Sequence, residues 1–210
     1  MDSLSDRNPV ILIHGIWDTS AIFNQMTAYL SQRGWQVYSL DLTPNDGSLG
    51  LEFLAQQLAE FINTTFKPKQ PLDLIGFSMG GIVSRYYVQR LGGIDRVQRF
   101  ITISSPHYGT QTAYSRGLPG YVQMRPASSF LRDLNYDAAM LQDINFTSIW
   151  TPFDGMIIPA QSSQMPIGKE IKYNVLLHSL MKSDPKVLQA IVQELEAPIK
   201  ELKIQKIVNS

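Results

Sequence analysis

The chain contains no cysteine, so neither a disulfide nor a thiolate-bound metal enters its chemistry. It has no excess of charge of either sign, with 18 Lys and Arg against 18 Asp and Glu. Proteins that bind nucleic acid normally carry a basic surplus to offset phosphate, so this balance argues against a nucleic-acid partner. It also removes long-range attraction to anionic membranes and leaves an apolar patch as the remaining route to a lipid surface. No apolar run approaches the length of a bilayer span. Residues 1–8 are polar, and no basic segment followed by an apolar one precedes the first strand-like run. On these features the expectation is a soluble cytoplasmic protein, with a signal removed before residue 1 left open. Repeats, charge blocks and low-complexity linkers are also lacking, and 210 residues at 44% hydrophobic content fit one compact domain over residues 1–210.

What the sequence does contain is an alternation of short apolar runs and amphipathic segments. Residues 9–13 (PVILI) are too short and too β-branched for a helix and read as a buried strand. Residues 19–33 place Phe23, Met26 and Leu30 on one helical face before Gly34. A second strand at 35–40 runs into the turn residues 43–47, and Leu51, Leu54, Leu58, Phe61 and Ile62 mark a second helix by their spacing. A third strand at 72–75, a third helix at 79–91 and a fourth strand at 99–104 follow. This order implies an α/β fold, a mostly parallel central sheet with helices on both faces. Regularity lapses over about 106–140, which reads as a small irregular or helical cap. Short strands at 147–150 and 171–173 and a helix opening at Pro185, capped by Ser183 or Asp184, complete the pattern. The tail after Pro198 is ambiguous between helix and strand.

Gly76-Phe77-Ser78-Met79-Gly80-Gly81 contains a G-x-S-x-G turn between a buried strand and an amphipathic helix. A serine on so tight a turn needs a strained backbone, and its neighbours two positions away must lack side chains for the chain to pass. The turn would set Ser78 at the positive end of the following helix, with the Met79 N–H facing a developing oxyanion. The loop after the first strand, His14-Gly15-Ile16, is suited to supply a second donor, the Ile16 N–H.

Three histidines compete for the role of base: His14, His107 and His178. In folds of this kind the order is serine, then carboxylate, then histidine, and only His178 lies downstream of both other members. His14 is then a structural residue that hydrogen-bonds its loop. Asp154 stands just beyond the strand at 147–150, where active-site residues of open parallel sheets gather, and would orient His178. Asp133, Asp137 and Asp143 satisfy the order alone, but fall in or beside the irregular region.

Together these segments resemble the bacterial lipase and esterase branch of the α/β-hydrolase superfamily. The resemblance rests on Val10-Ile11-Leu12-Ile13-His14-Gly15, the Ser78 turn, Ile103-Ser104-Ser105-Pro106-His107-Tyr108-Gly109-Thr110, Asp154 with Ile157-Ile158-Pro159, and His178. It implies a Ser78–Asp154–His178 triad with Ile16 and Met79 as oxyanion donors. Two departures stand out: Phe77 occupies a position often held by histidine, and the disulfide and calcium site of many larger relatives have no counterpart.

The activity these residues imply is hydrolysis of carboxylic, lipid-like acyl esters through an acyl-enzyme, with no cofactor and no metal. An acyl-thioesterase or acyltransferase with the same triad is the alternative within enzymes. A catalytically dead α/β-hydrolase that binds lipid is the alternative outside them. Leu118, Tyr121, Val122, Met124, Phe130 and Leu131 supply apolar surface in the cap, either for an acyl chain or for packing onto the core. A small-molecule or lipid ester is the expected partner, with transient contact to a lipid surface; oligomeric state is not legible.

Overall fold

The computed structural model describes residues 7–200. Six strands form one wholly parallel sheet in the order β2-β1-β3-β4-β5-β6: β1 Val10–Ile13, β2 Val37–Leu40, β3 Leu72–Phe77, β4 Val97–Ile103, β5 Asn145–Trp150 and β6 Lys169–Lys172. The chain is an α/β-hydrolase by fold. The helices are α1 Asn24–Ser31, α2 Leu51–Thr65, α3 Met79–Arg90, α4 Pro119–Gln123, α5 Ser129–Tyr136 and α6 Pro185–Glu196.

The pleat of the central strands divides the core in two. In β1, Ile11 and Ile13 join a cluster with Leu54, Leu58 and Ile62 of α2 and Ile82 and Val83 of α3. Val10 and Leu12 face the other way, toward Met26 and Leu30 of α1 and Val187, Leu188 and Ile191 of α6. All four β1 residues are completely buried, which is why the segment reads as a continuous apolar run rather than an alternating one. The edge strand β6 is the opposite case. Its residues Lys169, Glu170 and Lys172 are exposed, and charged side chains on an edge discourage pairing with another chain.

Several boundaries differ from the sequence reading for identifiable reasons. The helix expected over 19–33 is split into a 3-10 turn, Ser20–Phe23, and α1. The Ser20 N–H that opens it is taken by the Asp41 carboxylate at 2.6 Å rather than by a cap within the helix. Strand β4 begins two residues early because Val97 pairs with Leu72 before the register shifts at Leu72/Asp73. Asp184 is the residue that caps α6, accepting the Lys186 N–H at 2.8 Å and the Val187 N–H at 3.3 Å. The irregular stretch 106–140 contains α4, α5 and 3-10 turns at Gln111–Ser115 and Ala138–Asp143. Residues 198–200 are irregular, while the remainder of the ambiguous tail and the first six residues of the polar N-terminus lie outside the described residues. Among the described residues, no helix is long and apolar enough to cross a membrane.

From β1 the chain runs outward to β2, then crosses back to β3 on the other side of β1. The carboxyl ends of β1 and β3 therefore flank the point where strand order reverses, which is where open α/β sheets form crevices. The buried strands hold that crevice. Leu74→Ala, at a fully buried position of β3, should lower unfolding free energy by about 2–5 kcal/mol. Lys172→Ala on the exposed edge should change it by less than about 0.5 kcal/mol; chemical denaturation of both variants checks the contrast.

Candidate active site

Ser78 follows the last residue of β3 and precedes the first of α3, with φ 53° and ψ −125°. A non-glycine residue in that region carries a strain of about 1–3 kcal/mol, so the surroundings must hold it there. They do so from several sides. The Ser78 N–H donates to Ile103 O of β4 at 2.8 Å, and Ser78 O accepts from the Gly81 N–H at 3.1 Å. A Cβ on Gly76 would lie 2.5 Å from Gly81 Cα, and one on Gly80 would collide with the Ile13 and His14 carbonyl oxygens of the loop after β1. The glycines of the motif are thus the places where helix α3 presses against β3 and β1. Met79 is the first residue of α3, so its N–H precedes the intrahelical ladder. Among the described residues, neither that N–H nor the Ile16 N–H has a backbone or side-chain acceptor.

Asp154 and His178 come from the other side, on the segments beyond β5 and β6. His178 Nδ1 lies 2.7 Å from Asp154 Oδ2 and 2.9 Å from Oδ1. Asp154 Oδ1 also accepts the Met156 and Ile157 N–H groups, each at 2.9 Å. Burial pushes the Asp154 carboxyl up, but the His178 hydrogen bond and charge, with the Ile157 and Met156 N–H groups, outweigh it and leave the pKa below its usual value. An ionised Asp154 only accepts, so Nδ1 of His178 is the protonated nitrogen and Nε2 of the neutral ring is the free base. Thr151 ties the two segments together by donating to Val175 O at 2.7 Å. The His178 ring packs 4.8 Å from the ring of Phe77, the residue before the serine.

Ser78 borders two cavities. One, of about 480 Å³, is shared with His178, Ile16, Asp18, Phe77, Leu177 and Lys182. The other, of about 110 Å³, is lined by Trp17, Pro106, Ala113, Tyr121, Met124 and Ile157. Tyr121 and Met124, from the stretch 106–140, therefore border the site. Leu131 is spent on the core, Phe130 stacks on Tyr86 at 5.4 Å, and Val122 stays exposed.

The remaining histidines are otherwise engaged. His14 Nε2 accepts the Leu42 N–H at 2.9 Å, which leaves Nδ1–H to donate to Gly15 O at 2.8 Å. His107 is fully buried, and burial followed by the nearby Arg85 charge drives its pKa well below 6.5, so it is neutral. Asp133 and Asp137 pair with Arg90 at 2.9 and 2.6 Å, and Asp143 borders a groove with Lys69 and Arg96. Among the described residues no group of three or more His, Asp or Glu is arranged to hold a metal ion.

The sequence profile of palmitoyl protein thioesterases matches residues 9–126. The chain belongs to the palmitoyl protein thioesterase family. Human lysosomal thioesterase PPT2 is 34% identical over 107 residues, covering 48% of this chain and 34% of that protein. Palmitoyl-protein thioesterase 3 of Dictyostelium discoideum is 21% identical over 152 residues, covering 70% of this chain and 50% of its own length. The chain thus spans between about a third and a half of the curated relatives it matches. Among solved structures, Aspergillus fumigatus lipase B aligns with a TM-score of 0.77 at 18% identity, over 96% of this chain and 56% of that one. Mature Bacillus licheniformis lipase BlEst2 aligns with a TM-score of 0.73 at 16% identity, over 90% and 92%. At such identities these structures share the fold. The thioesterase profile contains Ser78, Ile16 and Met79 but ends before Asp154 and His178.

Several residues that shape this site carry little signal in the sequence. Lys182 lies one turn beyond His178, donates to Ser179 O at 2.8 Å and stands 5.3 Å from the Phe77 ring centre; its four-residue spacing from His178 was the available signal. Thr110 donates to Met156 O at 2.8 Å and accepts the Ile158 N–H at 2.9 Å, anchoring the Asp154 loop to the loop after β4. Nothing in its local sequence marks that role.

The lowered Asp154 pKa has a definite sign. Its contribution to stability is complete above the usual carboxylate value of 3.8 and is lost as pH falls through the lower folded-state value. Asp154→Asn should therefore be less stable than the parent at pH 7, with the deficit shrinking once pH drops below 3.8; thermal unfolding of both proteins across this range measures it.

Proposed function

We propose that this chain hydrolyses acyl thioesters by a two-step mechanism in which Ser78 is the nucleophile, His178 the base and Asp154 its orienting carboxylate. The observation that carries the reading is the Asp154–His178 pair at 2.7 Å, with His178 lining the same cavity as the strained Ser78. Family membership favours a thioester as the bond attacked.

His178 Nε2 takes the Ser78 hydroxyl proton as Oγ bonds to the acyl carbon. The carbonyl electrons move to oxygen, and the Ile16 and Met79 N–H groups stabilise that oxyanion. Collapse of the tetrahedral species breaks the carbon–sulfur bond, and the departing sulfur takes the proton from the His178 imidazolium. Water then attacks the acyl-enzyme and gives a proton to His178. The second tetrahedral species releases the carboxylic acid, and the proton on His178 returns to Ser78. Throughout, Asp154 keeps its hydrogen bond to Nδ1 and offsets the imidazolium charge.

The same steps cleave an oxygen ester. A thiol is far more acidic than an alcohol, with a pKa of about 8.5, so the thiolate leaves with less help and the thioester is the faster substrate. Parallel assays of thioesters and oxygen esters of one acyl group, with and without an alcohol acceptor, rank thioesterase, esterase and acyltransferase directly. A fluorophosphonate probe should label Ser78, and absence of labelling would point to a non-catalytic binding module.

Ser78→Ala should lower kcat by about 10³-fold or more with the fold intact. His178→Ala should do the same, and the double variant should be little worse than either alone, because the two act as a unit. Steady-state kinetics on a thioester, with circular dichroism of each variant, tests this. Full turnover in Ser78→Ala would refute the assignment.

A further inference from the structure

Ser78 stands between two cavities, and the chemistry of the proposed reaction distinguishes them. The leaving group must reach His178 to be protonated, so the cavity that His178 lines receives it. The second cavity is bordered by Ser78 but not by His178 and therefore receives the acyl chain. This assignment rests on the function proposed above. The acyl cavity measures about 110 Å³. An enclosed apolar cavity of about 150 Å³ holds one benzene molecule, and by that measure the volume here matches about four carbons.

Two aromatic rings in its wall are joined to each other. Trp17 Nε1 donates to the Tyr121 hydroxyl at 2.8 Å, across 104 residues of sequence. Trp17 adopts φ 62°, a left-handed conformation that bulky residues rarely take. It is held there by its N–H, which donates to Asn45 O at 2.8 Å, while the Asn45 side chain donates to Asp18 O at 2.6 Å. The loop that carries Asn45 also seats Tyr121. Gly47 lies so close that a Cβ there would stand 2.7 Å from Tyr121 Cδ2, and Gly47 O accepts the Gly120 N–H at 3.0 Å. At the other end of α4, Gln123 Oε1 accepts the Leu51 N–H at the start of α2 at 2.6 Å. One loop thus fixes both rings, and the hydrogen bond joins them in the cavity wall.

We propose that the Trp17–Tyr121 pair closes the acyl cavity and restricts the chain to short acyl groups of about four carbons, in contrast to the long chain named by its family. Both residues act on specificity by limiting space, not by touching the reacting atoms. Loss of either ring opens the cavity to longer chains, since each further buried methylene is worth roughly a factor of four in binding.

The test measures kcat/KM for acetyl, butyryl, octanoyl and lauroyl 4-nitrophenyl esters, kept below the concentration at which they aggregate. The parent protein should peak at butyryl and fall at least tenfold by octanoyl. Trp17→Gly, which suits the backbone at φ 62°, and Tyr121→Ala should each raise the octanoyl-to-butyryl ratio tenfold or more. Ala113→Leu, which fills the same cavity from another wall, should lower the butyryl-to-acetyl ratio. General destabilisation would depress every ester alike and leave these ratios unmoved. A parent protein that cleaves octanoyl and lauroyl esters as fast as butyryl overturns the proposal, as do unchanged ratios in folded variants. If Ser78→Ala leaves hydrolysis unchanged at every chain length, the catalytic reading itself fails, and the cavity assignment with it.

Discussion

The backbone of Ser78 is the constraint around which the site is organised. Its left-handed conformation is unfavourable by itself, and it persists because β1, β3, β4 and α3 all meet there. Ile103 O of β4 accepts its N–H, the Ile13 and His14 carbonyls run against Gly80, and Gly76 lies against Gly81. Relaxing the serine would require lifting a helix from the sheet and exposing residues such as Ile82 and Val83, which are wholly buried. Core burial on both sheet faces therefore supplies the free energy that keeps one turn strained. The consequence is a hydroxyl held at the sheet margin, at the positive end of α3.

The facing half of the site depends on directional bonds more than on packing. Asp154 is placed by two backbone N–H groups, its loop is tied down by Thr110, and Thr151 links it to the segment that carries His178. A second polar cluster lies nearby. The Arg85 guanidinium is completely buried and, among the described residues, pairs with no carboxylate; it donates to Leu134 O at 2.8 Å, Asn135 Oδ1 at 3.0 Å and Gln89 Oε1 at 3.0 Å. Burial lowers its pKa to about 10, which still leaves it cationic at neutral pH. That charge clamps α5 to α3 and helps keep His107 neutral.

The family relationship follows the same division of the chain. The shared stretch, residues 9–126, contains the strained serine, the loop after β1 and α4. Asp154, His178 and Lys182 come from the remainder. The first half builds the strained turn, the second half brings Asp154 and His178 together, and both halves line the larger cavity. Trp17 and Tyr121 fall inside the shared stretch, but their contact depends on how α4 is seated against the loop at 43–50.

The sequence alone determined the order of the elements, the buried character of β1 and β3, and the glycine spacing that lets a serine sit on a turn. These are local properties: period, propensity and the lack of a Cβ act over a few neighbouring residues. It also separated His178 from His14 and His107 by chain order. Local signals did not mark the charged edge strand as beginning at Lys169, Thr110 as an anchor, or Arg85 as a buried cation. The bond between Trp17 and Tyr121 and the 2.7 Å approach of Asp154 to His178 were decided by tertiary structure. Each joins segments that no periodicity connects, and their geometry exists only once parallel strands have brought separate loops to one end of the sheet.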